Sequence, residues 1–375
     1  MSNKGEDRPI MNTKRPLAAA LAAALGLAAA ACGSSSTHSG TGAATTGGSA
    51  AGSSSGSTAA DLSYYKGKTI TFIAPDKPGG SFDEWSRLLA PVMGQYLHAT
   101  VNVENVPPGN TIVGQNQLAA SSPDGLTIGW LNVGEDVADT VKGTGGINFS
   151  LSKVGIVGAP GFGQLVLVAE PNSPYKTFAQ LQKAASPVSS LDVTKGTGDT
   201  VERVLLGAYG INAKIITGYE SSKDLAAGFL RGDGQIAEEE LAVFQNAIVA
   251  GKAVPLWVSE PVPTQNPAYA QMKNVPTLSQ LEQSSPPQGQ QQASAIKVLQ
   301  SITQVAQVVA APPGVAAGRL AALQAAMKYA MNQPSVQAQA LKESLVPTFY
   351  DAQQTAQALQ TDQQDAQSLA PYLKK

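Results

Sequence analysis

The stretch APDKPGGSFDEWSRLL, Ala74 to Leu89, is where the chain first offers chemistry. Pro78-Gly79-Gly80 forms a turn that can expose backbone N–H groups ahead of a helix-forming run. Ser81 followed by Glu84 matches a capping box. Exposed amides at the positive end of a helix make a seat for a carboxylate or a phosphate. Asp83 complicates that reading, because a carboxylate inside the first turn already uses part of the same field. On these residues alone, an anion cradle and a well-capped structural turn are both open.

Two further loops share this character. ENVPPGNTIVGQ, Glu104 to Gln115, leads from a strand-like run into a helical one, with Gly109, Asn110 and Thr111 able to donate from amide or hydroxyl. KGTGDTVERVLL, Lys195 to Leu206, places Gly196, Thr197 and Gly198 before a helix that Asp199 or Thr200 can cap. Three such loops suggest a cleft lined by helix N-termini. The run Glu238-Glu239-Glu240 reads as a solvated helix start, with a charged wall of a site as the alternative. Nucleotide signatures fail: GKT at Gly67–Thr69 lacks the upstream glycine of a phosphate-binding loop, and no GxGxxG follows a strand.

The elements that must position these loops alternate. Strand-like runs fall at Thr69–Ile73, Val101–Asn105, Leu126–Leu131, Leu165–Ala169, Lys214–Thr217, Val254–Ser259 and Val305–Ala311. Helical stretches are expected at about Phe82–Leu97, Ile112–Ala120, Thr177–Ala185, Thr200–Tyr209, Lys223–Arg231, Val315–Met331 and Ser335–Leu345. Strands separated by single helices point to an α/β fold with helices on both sheet faces.

The chain has 375 residues and a formal net charge of −2, which leaves no electrostatic footprint for nucleic acid. Its first residues carry Lys4, Arg8, Lys14 and Arg15 before the Ala-rich run Pro16–Cys32, the pattern of a secretory leader over 1–31. That run is too short and too Ala-rich to be a good membrane-spanning helix. Cys32 is the only cysteine, so no disulfide forms within the chain. From Gly33 to Ala60 the sequence is almost wholly Gly, Ser, Thr and Ala, which reads as a flexible tether. The GSSSG within it is low complexity, not a nucleophile elbow. With only His38 and His98 present, a zinc site is not expected, nor is any cofactor.

LAAAAC, ending at Cys32, resembles the lipobox of bacterial lipoproteins, which implies acylation of Cys32. Further along, Pro75, Pro78, Gly79, Gly80 and Asp83 are followed by VENVPPGNTIVG and then SPDGLTIG. Later come LRGDGQIA, IVAGKAVPLWVSE, NVPTLSQL and VAAPPGVAAGRL. In order and spacing, from about Tyr65 to the C-terminus, this series resembles the substrate-binding receptors of tripartite tricarboxylate transporters, the Bug-type periplasmic binding proteins. The sequence departs from the family pattern at Val106, where a basic residue is usual, at Pro107–Thr111, at Lys77 and at Glu238–Glu240.

The resemblance implies a two-lobed type II periplasmic-binding-protein fold, each lobe a mostly parallel sheet flanked by helices. Residues 61–160 with 262–375 would make one lobe and 161–261 the other, hinged near Gly158–Gly163 and Ser259–Pro263. It implies a small carboxylate ligand held by Gly79, Gly80 and Ser81, with Asp83 orienting water or accepting from the ligand. Gly109, Asn110, Thr111 and Asn132 would complete that side, and Thr197, Gly198, Asp199 and Thr200 would close from the other lobe. The chain is then a monomeric, lipid-anchored extracytoplasmic receptor that serves integral membrane transporter subunits, binds no nucleic acid and catalyses nothing. The alternatives are a sensing or scaffolding lipoprotein without transport, and a hydrolase-type enzyme using Asp83 or Glu239 as general base.

Overall fold

The computed structural model describes residues 57–107, 111–161, 163–193, 197–219, 221–343 and 345–373. Cys32, the leader and nearly all of the tether, together with Gly109 and Asn110, lie outside the described residues. The strands are β1 Thr69–Ala74, β2 Thr100–Asn105, β3 Thr127–Asn132, β4 Gly155–Gly161, β5 Leu165–Ala169, β6 Val188–Val193, β7 Ala213–Tyr219, β8 Ile236–Glu240, β9 Val254–Val258, β10 Gln307–Ala311 and β11 Val346–Tyr350. The first helices are α1 Ser57–Tyr65, α2 Ser81–Leu97, α3 Ile112–Ala120, α4 Val133–Lys142 and α5 Phe178–Leu181. They are followed by α6 Thr197–Ala208, α7 Ser222–Arg231, α8 Leu241–Val249, α9 Tyr269–Met272 and α10 Leu278–Ser284. The chain ends with α11 Gln290–Val305, α12 Ala317–Met331, α13 Pro334–Lys342, α14 Ala352–Asp365 and α15 Ala370–Leu373.

The strands form two sheets, ordered β11-β4-β10-β3-β1-β2 and β7-β6-β8-β5-β9. Both are mixed rather than mostly parallel. β1 pairs parallel with β2 and β3, and β6 pairs parallel with β7 and β8, each through a crossover helix. β10, β11, β5 and β9 pair antiparallel. The parallel strands put their carboxyl ends, where ligands of α/β sheets bind, on one rim of each sheet.

Burial follows from the sequence pattern. α2 turns Phe82, Trp85, Leu89, Met93 and Leu97 inward at helical spacing, against the Ala-rich α12. His98 ends α2 in a left-handed conformation (φ 51°). Trp130 on β3 stacks on Phe72 with ring centroids 5.6 Å apart and donates from Nε1 to Ser86 Oγ at 2.7 Å, which fixes α2 over the sheet. On the opposite face α4, α11 and α6 share a core that includes Leu131, Val137, Leu205 and Leu299. Residues from both sheets contribute to it, Ile73 from β1 and Leu167 from β5 among them.

The connection from β4 to β5 and the one leaving β9 run side by side between the sheets. Leu165 N donates to Ser259 Oγ at 3.0 Å, Ser259 N donates to Leu165 O at 2.9 Å, and Gln164 Nε2 donates to Pro261 O at 2.8 Å. On one side these bonds involve Gln164 and Leu165, just past the expected stretch Gly158–Gly163, and on the other Ser259 and Pro261, inside the expected stretch Ser259–Pro263. Among the described residues, no helix is long and apolar enough to cross a membrane.

Candidate functional site

At the β1–α2 turn, Gly79 adopts φ +85° and Gly80 is the N-cap of α2. The expected capping box does not form: no side chain of Ser81 caps the helix, and Ser81 Oγ instead accepts from Gln307 Nε2 at 2.8 Å. Asp76 does the capping. Its Oδ2 accepts from Phe82 N at 3.0 Å and Asp83 N at 3.3 Å. Gly79 N donates to Asp83 Oδ2 at 2.9 Å and Gly80 N to Lys77 O at 3.0 Å. The amides of Gly79 and Gly80, expected to receive a ligand carboxylate, are therefore engaged within the turn itself. Burial is the main cause that pushes the Asp76 carboxyl up to about 6, against the lowering effect of those two helix amides.

Asp83 is locked as firmly. It is 3% exposed and accepts from Arg87 Nε at 2.9 Å, Gly79 N at 2.9 Å and Asn105 Nδ2 at 2.9 Å. Arg87 also pairs with its Oδ1 at 2.8 Å. Burial alone would raise this carboxyl, but the bonds from Arg87, Gly79 and Asn105 outweigh it and hold it below the usual range. The residue that could orient a ligand instead orients its own loop.

Thr111 and Asn132 are brought together by Gln115, a residue whose helical spacing gave no sign of a role. Gln115 Nε2 donates to Thr111 Oγ1 at 2.9 Å and to Asp136 Oδ1 at 3.0 Å, and its Oε1 accepts from Asn132 N at 3.3 Å. Thr111 sits at φ 73°, which a β-branched residue rarely adopts, and such strain persists where the surroundings over-determine it. Asn132 is paired in register with Gln307, so the ends of β3 and β10 meet the α2 turn. Asp136 is 2% exposed with Oδ2 unpartnered, and burial pushes its carboxyl up to about 8.

On the other sheet, α6 begins at Thr197, so Asp199 and Thr200 lie inside its first turn rather than capping it; the surroundings of Thr197 and Gly198 are outside the described set. Asp199 pairs with Arg203 and stands 3.7 Å from Lys142 Nζ on α4. Thr200 is 1% exposed.

Glu238–Glu240 is not a solvated helix start. It is the end of β8, pulled in by pairing with β5, and Glu238 is 3% exposed. Glu238 Oε1, Glu202 Oε2 and Asp192 Oδ2 are buried without hydrogen-bond partners. Burial, reinforced by neighbouring carboxylates, raises all three pKa values. Among the described residues no group of three or more such side chains could hold a metal ion.

A pocket of about 440 Å³ opens between the sheets beside the hinge, lined by Gly163, Gln164, Glu240, Gln245, Lys342 and Pro347 among others. Glu240, from the run that the sequence offers as an alternative charged wall, lines it, whereas Gly79–Ser81, Asp83, Thr111, Asn132, Asp199 and Thr200 do not. Pairings such as Gln115 with Thr111 and Asp136, or Asp76 with the α2 amides, join residues 4 to 21 positions apart and leave no periodic trace in the sequence.

A model of the family described as tripartite tricarboxylate transporter family receptor matches residues 86–371. A TctC solute-binding protein from Polaromonas, solved without ligand, aligns with a TM-score of 0.68 at 15% identity, over 82% of this chain and 99% of that one. MatC from Rhodopseudomonas palustris, with bound malate, aligns at 0.55 and 17% identity over 82% and 99%. A second R. palustris protein, with adipate, aligns at 0.57 and 14% identity over 82% and 97%. Comparison with curated proteins gives no match.

Proposed function

The chain belongs to the tripartite tricarboxylate transporter receptor family, and on that premise we propose that it is an extracytoplasmic solute receptor, anchored through Cys32, that takes a small carboxylate between its lobes and delivers it to transporter subunits in the membrane. The observation that carries this reading is the pair of stitched crossings at Gln164–Leu165 and Ser259–Pro261, which join the two sheets. A ligand that touches both lobes binds the closed form better and so draws the lobes together. The malate and adipate held by structural neighbours support the carboxylate assignment.

On this reading the leader is residues 1–31, the tether 32–60, one lobe 61–160 with 262–375, and the other lobe 161–261. The ligand meets Ser81, Thr111 and Asn132 from one lobe and the first turn of α6, Thr197 to Thr200, from the other. Gly79, Gly80 and Asp83 hold the shape of the turn, and Gly109 and Asn110 are proposed to complete the ligand's contacts on that side. No catalytic step is assigned, since the general bases of the enzyme alternative are tied: Asp83 by Arg87, Gly79 and Asn105, and Glu239 by Ser222 and the Glu240 amide. A thermal-shift screen of the purified protein against small carboxylates tests the reading. Stabilisation without turnover is expected; formation of product replaces the receptor with an enzyme. Membrane partitioning of a Cys32→Ser variant tests the anchor, with release into the soluble fraction expected.

A further inference from the structure

Two hydroxyls at helix starts, Thr111 before α3 and Ser81 at the head of α2, share one bonding pattern. Thr111 is the N-cap of its helix, where a hydroxyl oxygen ordinarily accepts from a helix amide, yet its side chain makes no capping bond. Each oxygen instead accepts from a glutamine: Thr111 Oγ1 from Gln115 Nε2 at 2.9 Å, and Ser81 Oγ from Gln307 Nε2 at 2.8 Å. Both glutamines are buried, and a side-chain amide persists out of water only with partners.

The direction of the bonds at Gln115 is set by the backbone. Asn132 N can only donate, and it meets Gln115 Oε1 at 3.3 Å, so the carbonyl end of the amide faces β3 and the Nε2 end faces Thr111. The second Nε2 hydrogen goes to Asp136 Oδ1 on α4 at 3.0 Å, which uses up the amide. Asn132 also stands opposite Gln307 across the β3–β10 pair, so both glutamines converge on it. With its oxygen accepting, each hydroxyl keeps its own hydrogen to give, and no acceptor for either hydrogen is found among the described residues. Thr111 is itself buried, so bulk water is a poor substitute. An amide that donates to a hydroxyl oxygen also polarises the O–H bond and makes it a better donor.

We propose that Gln115 and Gln307 are positioning residues that set the polarity of the ligand site, turning Thr111 and Ser81 into hydrogen-bond donors, so that the ligand group they meet is an ionised carboxylate. The inference rests on the receptor reading, in which both hydroxyls face the ligand. A carboxylate oxygen takes the hydroxyl hydrogen in a charge-assisted bond. A ligand N–H takes only a remaining lone pair of the hydroxyl and strands that hydrogen, which carries the cost of an unmade bond. Selection then comes from two glutamines that do not themselves touch the ligand.

The test is a double-mutant cycle read by calorimetric titration of the purified protein with malate, succinate, glutarate and adipate. Gln115→Glu keeps the shape of the side chain but replaces its donors with acceptors, which draws the Thr111 hydrogen back and away from the ligand. It is expected to weaken the tightest of these carboxylates at least about tenfold. Gln115→Met, which supplies neither donor nor acceptor, is expected to weaken it less. In a Thr111→Val background, where no hydroxyl remains, Gln115→Glu is expected to cost less than about threefold more. Thr111→Ser is expected to recover most of the affinity that Thr111→Val loses. Ser81→Ala with Gln307→Glu repeats the cycle at the second hydroxyl, and it decides the matter where circular dichroism shows that Gln115→Glu does not fold. An equal cost of Gln115→Glu with and without the hydroxyl marks plain charge repulsion; it overturns the inference and leaves the receptor standing. Unchanged affinity in Gln115→Glu overturns it as well, as does a loss in Thr111→Ser equal to that in Thr111→Val. Silence of the wild-type protein towards every one of these carboxylates removes the receptor reading and the inference with it.

Discussion

The carboxylate of Asp76 occupies the space that a side chain at Gly80 would need: a carbon there would stand 2.2 Å from Asp76 Oδ2, the oxygen that receives the Phe82 and Asp83 amides. Glycine at this position is a packing requirement, since Gly80 itself holds an ordinary φ of −84°. Gly80→Ala is expected to destabilise by about 1–3 kcal/mol. In an Asp76→Ala background the same change is expected to cost less than about 1 kcal/mol. Urea denaturation of the four proteins in the cycle measures both values, and simple additivity would contradict the relationship.

Stability is expected to fall as pH rises through the neutral range. Asp136, Glu240 and Asp362 carry carboxyls raised by burial to about 8, 7 and 7, and Glu238 is raised as well. A group whose pKa is higher folded than unfolded gives stability that is fully present below its unfolded pKa and lost as pH rises through the folded value. The window therefore runs from the ordinary carboxylate values of 3.8 and 4.5 up to about 8. The melting temperature, followed from about pH 5 to about pH 8, should decline steadily; a rise over that range would contradict these burials.

Glu238→Gln isolates one of these groups. Glu238 is 3% exposed, Oε1 has no partner, and its charged neighbours are Glu239, Glu202, Asp192 and Glu240. Removing the ionisable group is expected to stabilise by about 1–3 kcal/mol at alkaline pH, with the gain vanishing in acid where the wild-type carboxyl is already neutral. Paired melting curves at two pH values check it, and an equal effect at both speaks against a charge origin.

Lys142 on α4 and Asp199 on α6 stand 3.7 Å apart and join helices assigned to different lobes in the proposed division. The pair is partly exposed and worth no more than about 1 kcal/mol, yet it acts directly on the opening equilibrium. Lys142→Met is expected to enlarge the ligand-free radius of gyration in small-angle scattering, and saturating ligand should return it to the wild-type value. An unchanged ligand-free radius removes the latch.

Much of the fold was legible because the alternation of β-branched runs with amphipathic runs is local. Thr69–Ala74, Ser81–Leu97 and Ile112–Ala120 lie where periodicity puts them. β6 and β8 were harder: VSSLDV and IAEEE carry polar residues that read as exposed until the sheet covers them. The site was less legible for a related reason. PGGS announces a turn with free amides, but whether they are free depends on Asp76, which folds back across the turn. Gln115 shows the same limit, since its partners are a residue one turn away and two that only the third strand and the helix after it bring close.

The most direct test of the receptor itself is isothermal titration of the purified protein with a panel that includes malate, adipate and amino carboxylates, with product analysis of the same samples. One ligand per chain, bound with a dissociation constant at or below about 10⁻⁵ M and recovered unchanged, is the predicted result. Absence of binding by every carboxylate in the panel, or recovery of a chemically altered ligand, would contradict it.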